Sequence, residues 1–281
     1  MSIVKRELNI GLPKPLRVLH ISDIHLTYAD SRDCEKKRNM AKGRTEAFGK
    51  YGDIPALFDK YMSYGRENCD LIVCTGDIMD FVSAANLDEL RRVCAEDNFI
   101  FAVGNHEFAQ YIGDPKEDFY YKMQSYTDVQ SCVPTNIDFA STVVGGVNFV
   151  TLDNVYYDFT EKQLELLKAE CKKEYPIILC MHTPIYEEKL FDKVTGGGKW
   201  VSFLCGCPTE RIGYYPKDRF EQQKADDMTM KVAEFITTQP QIKAILSGHC
   251  HRFEECTFPS GLVQYVTDGT YHDSAIELLI K

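Results

Sequence analysis

Nothing in this sequence is apolar for long enough to cross a bilayer; no hydrophobic run approaches the ~18 residues that a spanning helix requires. Also missing from Met1-Ser2-Ile3-Val4-Lys5-Arg6-Glu7 is the basic-then-apolar order of a secretion signal, so a cytoplasmic location is expected. Positive charge is scarce: 32 Lys and Arg stand against 42 Asp and Glu, a net charge of −10. The only basic run is Glu35-Lys36-Lys37-Arg38. Proteins that track long nucleic acids carry a basic stripe, which argues against that class of partner. An acidic chain that handles phosphate needs local positive charge, and bound divalent metal would supply it. Paired cysteines at zinc-knuckle spacing are absent as well. The eleven cysteines are odd in number and scattered, which reads as reduced, buried thiols, with Cys205-Gly206-Cys207 an ordinary thiol pair in a loop. No repeat, low-complexity tract or long linker interrupts the chain.

What is present is an ordinary globular composition, 44% apolar and 26% charged, in a chain of 281 residues that can bury a full core. Strand-like and helix-like segments alternate. Residues 16–22, 70–75, 99–103, 176–181 and 242–247 read as buried strands, and 262–280 as further strand. Gly145-Gly146 between β-branched runs predicts a hairpin over 142–151. Helices are expected from Asp53 to Asn68, from Asn86 to Ala95 with Asn86 and Glu89 at capping-box spacing, from Thr160 to about Lys173, and over 218–238. Residues 28–52 and 183–215 lack periodicity. Long segments of this kind are either walls of a functional cleft or variable surface loops, and each follows a motif that favours the first reading.

Five short segments each sit at the end of an expected strand: Asp23-Ile24-His25, Gly76-Asp77-Ile78-Met79-Asp80, Gly104-Asn105-His106-Glu107, Met181-His182-Thr183-Pro184 and Gly248-His249-Cys250-His251. Side chains two apart on a strand share a face, so Asp23 with His25, and His249 with His251, are placed to act as pairs. The glycines before Asp77, Asn105 and His249 let the backbone leave the sheet sharply. Imidazole, carboxylate and amide oxygen together suit Zn, Fe or Mn rather than Mg or Ca.

In this order the five segments strongly resemble the calcineurin-like metallophosphoesterases, over residues 16 to about 269. Five of the seven histidines fall on the motif positions. The resemblance implies a four-layer α/β fold, two mixed β-sheets face to face with helices outside, as a single domain over 1–281 with 28–52 and 183–215 as insertions. It implies that Asp23, His25 and His251 bind one metal ion, that Asn105, His182 and His249 bind a second, and that Asp77 bridges the two. His106 would then stabilise the transition state and protonate the leaving oxygen, its ring oriented by Glu107 or Asp80. Two such cations acidify the attacking water and clamp phosphoryl oxygens for in-line displacement.

Some positions depart from particular relatives. Phosphoprotein phosphatases carry arginines where this chain has Phe81 and Val103, and purple acid phosphatases carry a metal-binding tyrosine at Asp80. Ile10-Gly11-Leu12-Pro13 before the first motif resembles bacterial lipid-precursor hydrolases of the superfamily. The expected substrate is a small phosphodiester or phosphomonoester, nucleotides first. A nuclease fits the acidic charge poorly, and a silent scaffold fits poorly with every ligand position and His106 intact. Outside the motifs, His20 reads as a core residue. His272 reads as a loop histidine that is within possible reach of substrate. Trp200 and Tyr214-Tyr215 either stack on a substrate or pack their insertion onto the domain.

Overall fold

The computed structural model describes residues 1–113 and 117–281. Strands β1 (Ser2–Leu8), β2 (Leu16–Ile21), β3 (Leu71–Cys74) and β4 (Phe99–Phe101) join the last strand, β11 (Ser274–Ile280), in a sheet of order β1-β11-β2-β3-β4. The second sheet comprises β5 (Phe139–Val144), β6 (Val147–Leu152), β7 (Ile177–Cys180), β8 (Ile242–Ser247), β9 (Glu254–Thr257) and β10 (Val263–Val266), in the order β5-β6-β7-β8-β10-β9. Both sheets mix parallel and antiparallel pairs.

The central strands are apolar on both faces because both faces are covered. Val18, Leu71, Val73 and Ile100 of the first sheet share one buried cluster with Val147, Phe149, Ile178 and Leu246 of the second. The alternate residues Leu19, Ile21 and Ile72 point the other way. They pack with Phe58, Met62 and Leu90 of helices α2 (Ile54–Asn68) and α3 (Ala84–Cys94), which follow α1 (Glu35–Phe48). Short helices α4 (Phe119–Met123) and α5 (Tyr126–Gln130) precede α6 (Glu161–Glu170). Beyond these lie α7 (Glu188–Thr195), α8 (Thr209–Ile212), α9 (Lys217–Gln223) and α10 (Asp227–Thr238). On the outside of the second sheet, Leu164 and Leu167 of α6 and Val232 and Ile236 of α10 cover Leu179 and Ile245. The result is the four-layer sandwich expected.

Local signals succeed where capping chemistry is explicit. Asp53 accepts from the Ala56 N–H, and Thr160 with Gln163 closes a full capping box, although that helix stops at Glu170. Elsewhere the structure differs. The helix expected from Asn86 starts at Ala84 with Ser83 as its cap, while the Asn86 amide bonds Tyr28 N–H and the Phe81 carbonyl. The helix expected over 218–238 is two, α9 and α10, because the Asp226 carboxylate accepts from the Thr229 N–H at 2.7 Å and starts a new helix. The aperiodic segments 28–52 and 183–215 hold α1, α7 and α8. Helix α1 buries only Ala41 and Phe48, so it has no apolar stripe to read. Strand β1, unexpected from sequence, adds to the sheet edge by pairing in parallel with β11.

Among the described residues, no helix is long and apolar enough to cross a membrane. All eleven thiols are free, and Cys34 is exposed rather than buried.

Candidate metal centre

Strands β2, β3 and β4 run parallel, as do β7 and β8, so their C-terminal ends open on one edge of each sheet. All five motifs lie immediately beyond those ends. The two edges are stitched together by the motifs themselves. His249 N–H donates across to Asp23 Oδ2 at 3.0 Å, and within the second sheet Gly248 N–H donates to the His182 carbonyl at 3.0 Å.

The pairing of Asp23 with His25 and of His249 with His251 does not come from strand alternation. All four residues lie past the strands with left-handed backbone, at φ of 51°, 56°, 67° and 47°, and Asp77 joins them at 55°. Nor do the motif glycines share one role. Gly76 turns the chain at φ 99°, whereas Gly248 lacks a positive φ and is needed for space, since a Cβ there would overlap Ser22 Oγ and Asp23 Oδ2.

The donors converge on Asp77. His182 Nε2 is 3.2 Å from Asp77 Oδ2, 3.1 Å from Asn105 Oδ1 and 3.0 Å from His249 Nδ1. On the other side, His251 Nε2 is 3.1 Å from Asp23 Oδ1 and 3.2 Å from His25 Nε2, which is 4.0 Å from Asp77 Oδ2. Three sets of donors are each compact enough to hold a cation: Asp23, His25 and His251; Asp77, His182 and His249; and His25, Asp77 and His106.

Outer partners fix which nitrogen of each ring faces inward. A carbonyl can only accept, so the His182 Nδ1–H donates to the Thr75 carbonyl at 2.7 Å and leaves Nε2 as the inward lone pair. Likewise the His106 Nδ1–H donates to the Asp80 carbonyl at 2.8 Å, which leaves Nε2 free. His25 Nδ1 sits 3.1 Å from Asp80 Oδ1, the carboxylate–imidazole support common behind metal-bound histidines. Tyr271 OH lies 3.0 Å from His251 Nδ1, and Tyr157 OH lies 3.1 Å from His249 Nε2.

Of the two residues expected to orient His106, Asp80 touches the ring. Glu107 does not. Its carboxylate accepts from the backbone N–H of Asp77 and Ile78 at 2.8 Å and of Gly104 at 2.7 Å, so it ties the second motif to the third. Tyr157, Tyr271, Thr75 and Arg44 complete the surroundings and escaped the sequence reading. Arg44 forms a fork on Asp80, Nε to Oδ2 at 2.6 Å and Nη2 to Oδ1 at 2.9 Å.

Burial would push the Asp80 carboxyl up, but hydrogen bonds from His25 and Arg44 hold it down at about 2. Burial, then the neighbouring His182, lowers the His249 imidazole to about 3, so it remains a neutral donor. Burial opposes charge on His182, yet Asp77 and then Asp23 raise it to about 10. A cation between His182 and Asp77 would replace that proton. Burial and the Asp77 charge raise Glu107 to about 8. Asp23 Oδ1 is buried with the His251 ring 3.1 Å away but no well-aligned hydrogen-bond donor, a costly arrangement unless a cation meets it. The imidazole, carboxylate and amide donors fit a first-row transition metal.

Beside the donors is a cavity of about 320 Å³, walled by His106, Val201, Phe203, His251 and Arg252 among others. Val201 and Phe203 come from the segment 183–215. A larger cavity of about 1020 Å³, near α4 and α6, contains none of the motif residues. His20 is fully buried with Nε2 2.9 Å from Thr75 Oγ1, and burial lowers it to about 3, as a core histidine should be. His272 bonds Asp268 at 2.9 Å and packs on Tyr51 and Tyr271. Cys205 and Cys207 are buried, Tyr215 packs the insertion through Ser202, and Trp200 is 69% exposed.

Two sheets that gather imidazole and carboxylate donors at their strand ends define a metal-binding α/β protein. The chain belongs to the calcineurin-like phosphoesterase family, whose sequence model matches residues 16–253. It is thus a metal-dependent phosphoesterase. A dimetal phosphatase from Danio rerio is similar in structure at 15% identity, with a TM-score of 0.48, covering 92% of this chain and 88% of its own. The phosphopantetheinyl hydrolase of Mycobacterium tuberculosis is similar at 12% identity and a TM-score of 0.44, with 91% and 90% covered. A 5'-nucleotidase from Candida albicans matches at 14% identity and a TM-score of 0.43 over 96% of this chain, which spans 48% of that enzyme. A search among curated proteins returned no match.

Proposed function

We propose that this phosphoesterase uses two metal ions to hydrolyse a small phosphodiester or phosphomonoester, with nucleotides the leading class. The observation that carries the proposal is the convergence of six donor residues on the two sides of one carboxylate, Asp77. Asp23, His25 and His251 would hold one cation and Asn105, His182 and His249 the other, with Asp77 placed to serve either. Cations held there supply Lewis acidity toward a phosphoryl oxygen and toward the attacking water. His106, mostly buried but reaching the cavity wall with its Nε2 free, protonates the departing oxygen. Asp80 fixes that ring through its carbonyl, and Glu107 holds the loops of Asp77 and Asn105 in register.

The cavity volume supports a small substrate, since pockets of this size bury a single small molecule rather than a polymer. Val201 and Phe203 offer an apolar face and Arg252 a cation to the leaving group. We read the chain as one domain over 1–281, its insertions 28–52 and 183–215 serving as walls of the cleft. Mn, Fe or Zn are the preferred ions.

The test is hydrolysis of bis-p-nitrophenyl phosphate and p-nitrophenyl phosphate by metal-stripped protein reloaded with Mn, Fe, Zn or Mg. Turnover restored by a transition metal is the expected result. Faster diester cleavage selects phosphodiesters, and faster monoester cleavage selects nucleotide or sugar phosphates. Protein that binds metal but turns over neither ester with any ion would sink the proposal.

A further inference from the structure

Helix α1 arises from a segment that carries no motif, yet it reaches the donor cluster from three directions. Arg44 grips both oxygens of Asp80, a side chain buried completely, while Arg44 itself keeps 29% of its surface exposed. Asp80 in turn serves two imidazoles. Its carboxylate orients His25 and its carbonyl orients His106. One turn further on, Phe48 stacks on the His25 ring at 5.5 Å with planes 19° apart, and the Arg44 guanidinium lies 4.8 Å over Phe48. Phe48 and Tyr51 also wedge against Tyr271, at 5.3 and 5.0 Å, the residue whose hydroxyl meets His251.

We propose that Arg44 is a positioning residue for the phosphoesterase reaction, fixing through Asp80 both the His25 side of the metal centre and the His106 imidazole. The proposal rests on the two-cation reading above. A planar fork on a carboxylate leaves neither oxygen free to rotate, which a single point charge does not achieve. With the Asp80 carboxylate fixed, His25 cannot turn its Nε2 out of the cluster. With the Asp80 backbone fixed, His106 keeps its Nδ1–H engaged and its Nε2 toward the cavity. A purely charge-balancing arginine would do neither, and that difference is measurable.

The experiment titrates Mn²⁺ into metal-stripped wild type, Arg44→Ala and Arg44→Lys by calorimetry, with Arg66→Ala, which breaks a surface pair with Glu96, as control. Removing such an outer partner typically costs about 10–100-fold in metal affinity or activity. Arg44→Ala is expected to keep one tight equivalent, to weaken the other by that factor, and to lower kcat with little change in KM. Arg44→Lys retains the charge and folds more readily, and it should still lose affinity because the fork is gone. Imidazole ¹⁵N spectra provide a readout independent of metal and of turnover. Nδ1–H signals of His25 and His106 should shift or mix tautomers in both Arg44 variants and stay fixed in Arg66→Ala. Unchanged tautomers, or two equivalents bound at wild-type affinity with kcat retained, would overturn the proposal. If wild-type protein takes up no cation, the two-cation reading fails on its own, and the tautomers still decide the role of Arg44.

Discussion

The two sides of the donor cluster are built from different material. Asn105, His182 and His249 are backed by residues that directly follow sheet strands, the Thr75 carbonyl past β3 behind His182 and Tyr157, in the turn after β6, behind His249. Asp23, His25 and His251 are backed by the segment 28–52, through Arg44 on Asp80 and through Phe48 and Tyr51 on Tyr271. One side is thus fixed by the core that makes the protein fold, the other by a charged helix with two buried residues. A fold can therefore hold one half of a site through its core while leaving the other half to a segment that adds little to that core.

That contrast is open to direct attack. The largest effect is expected from Asp77→Ala, which removes the carboxylate proposed to serve both sides; metal uptake measured by elemental analysis should fall on both, with turnover below detection. Retention of two equivalents would mean the sides are independent. His106→Ala should lower kcat by about 10²–10⁴-fold, the usual contribution of a general acid, with both metal equivalents kept. Loss of a metal ion would instead make His106 a ligand with His25 and Asp77, whose donors also cluster. Tyr271→Phe and Tyr157→Phe should each weaken metal binding about tenfold, the low end for an outer partner, each on its own side only. Equal losses on both sides in either variant would erase the distinction.

The smallest effect concerns the scaffold alone. Glu277 is 3% exposed on β11, bonded by Arg17 at 2.5 Å and by Tyr64. Burial opposes its charge, but the bonds from Tyr64 and Arg17 lower its pKa below the ordinary glutamate value. A carboxylate depressed in this way stabilises the fold fully above its unfolded pKa, and the benefit fades as pH falls through the folded value. Glu277→Gln should therefore cost about 1.5 kcal/mol at pH 7 and progressively less below about pH 4, followed by urea unfolding. Metal affinity at pH 7 should not change, which separates damage to the scaffold from damage to the site.

The sequence disclosed the candidate donors of both sides better than the residues behind them. Buried strands are apolar runs and each of the five motifs follows one, so spacing alone points to the donors. Arg44 had no such marker. It meets Asp80 across 36 residues, through a helix whose exposed face is charged and whose buried face is two residues wide. Tyr157 and Tyr271 look like any strand-flanking aromatics until the chain brings their hydroxyls to His249 and His251. Glu107 and Asp80 stood equal as partners for His106, because a carboxylate that collects four backbone N–H groups leaves no trace in spacing.

The left-handed backbone at Asp23, His25, Asp77, His249 and His251 has an evolutionary consequence. Each such residue costs on the order of 1 kcal/mol relative to glycine, and together they approach the net stability of a typical domain. Glycine at any of them would relax the chain while deleting a ligand. Selection for robustness alone would thus erode the centre, and lineages released from the need for catalysis should lose these side chains early, gaining thermal tolerance as they do. A His249→Gly variant of this protein should show that exchange in miniature, with a higher melting temperature than the metal-free parent and a centre that no longer fills.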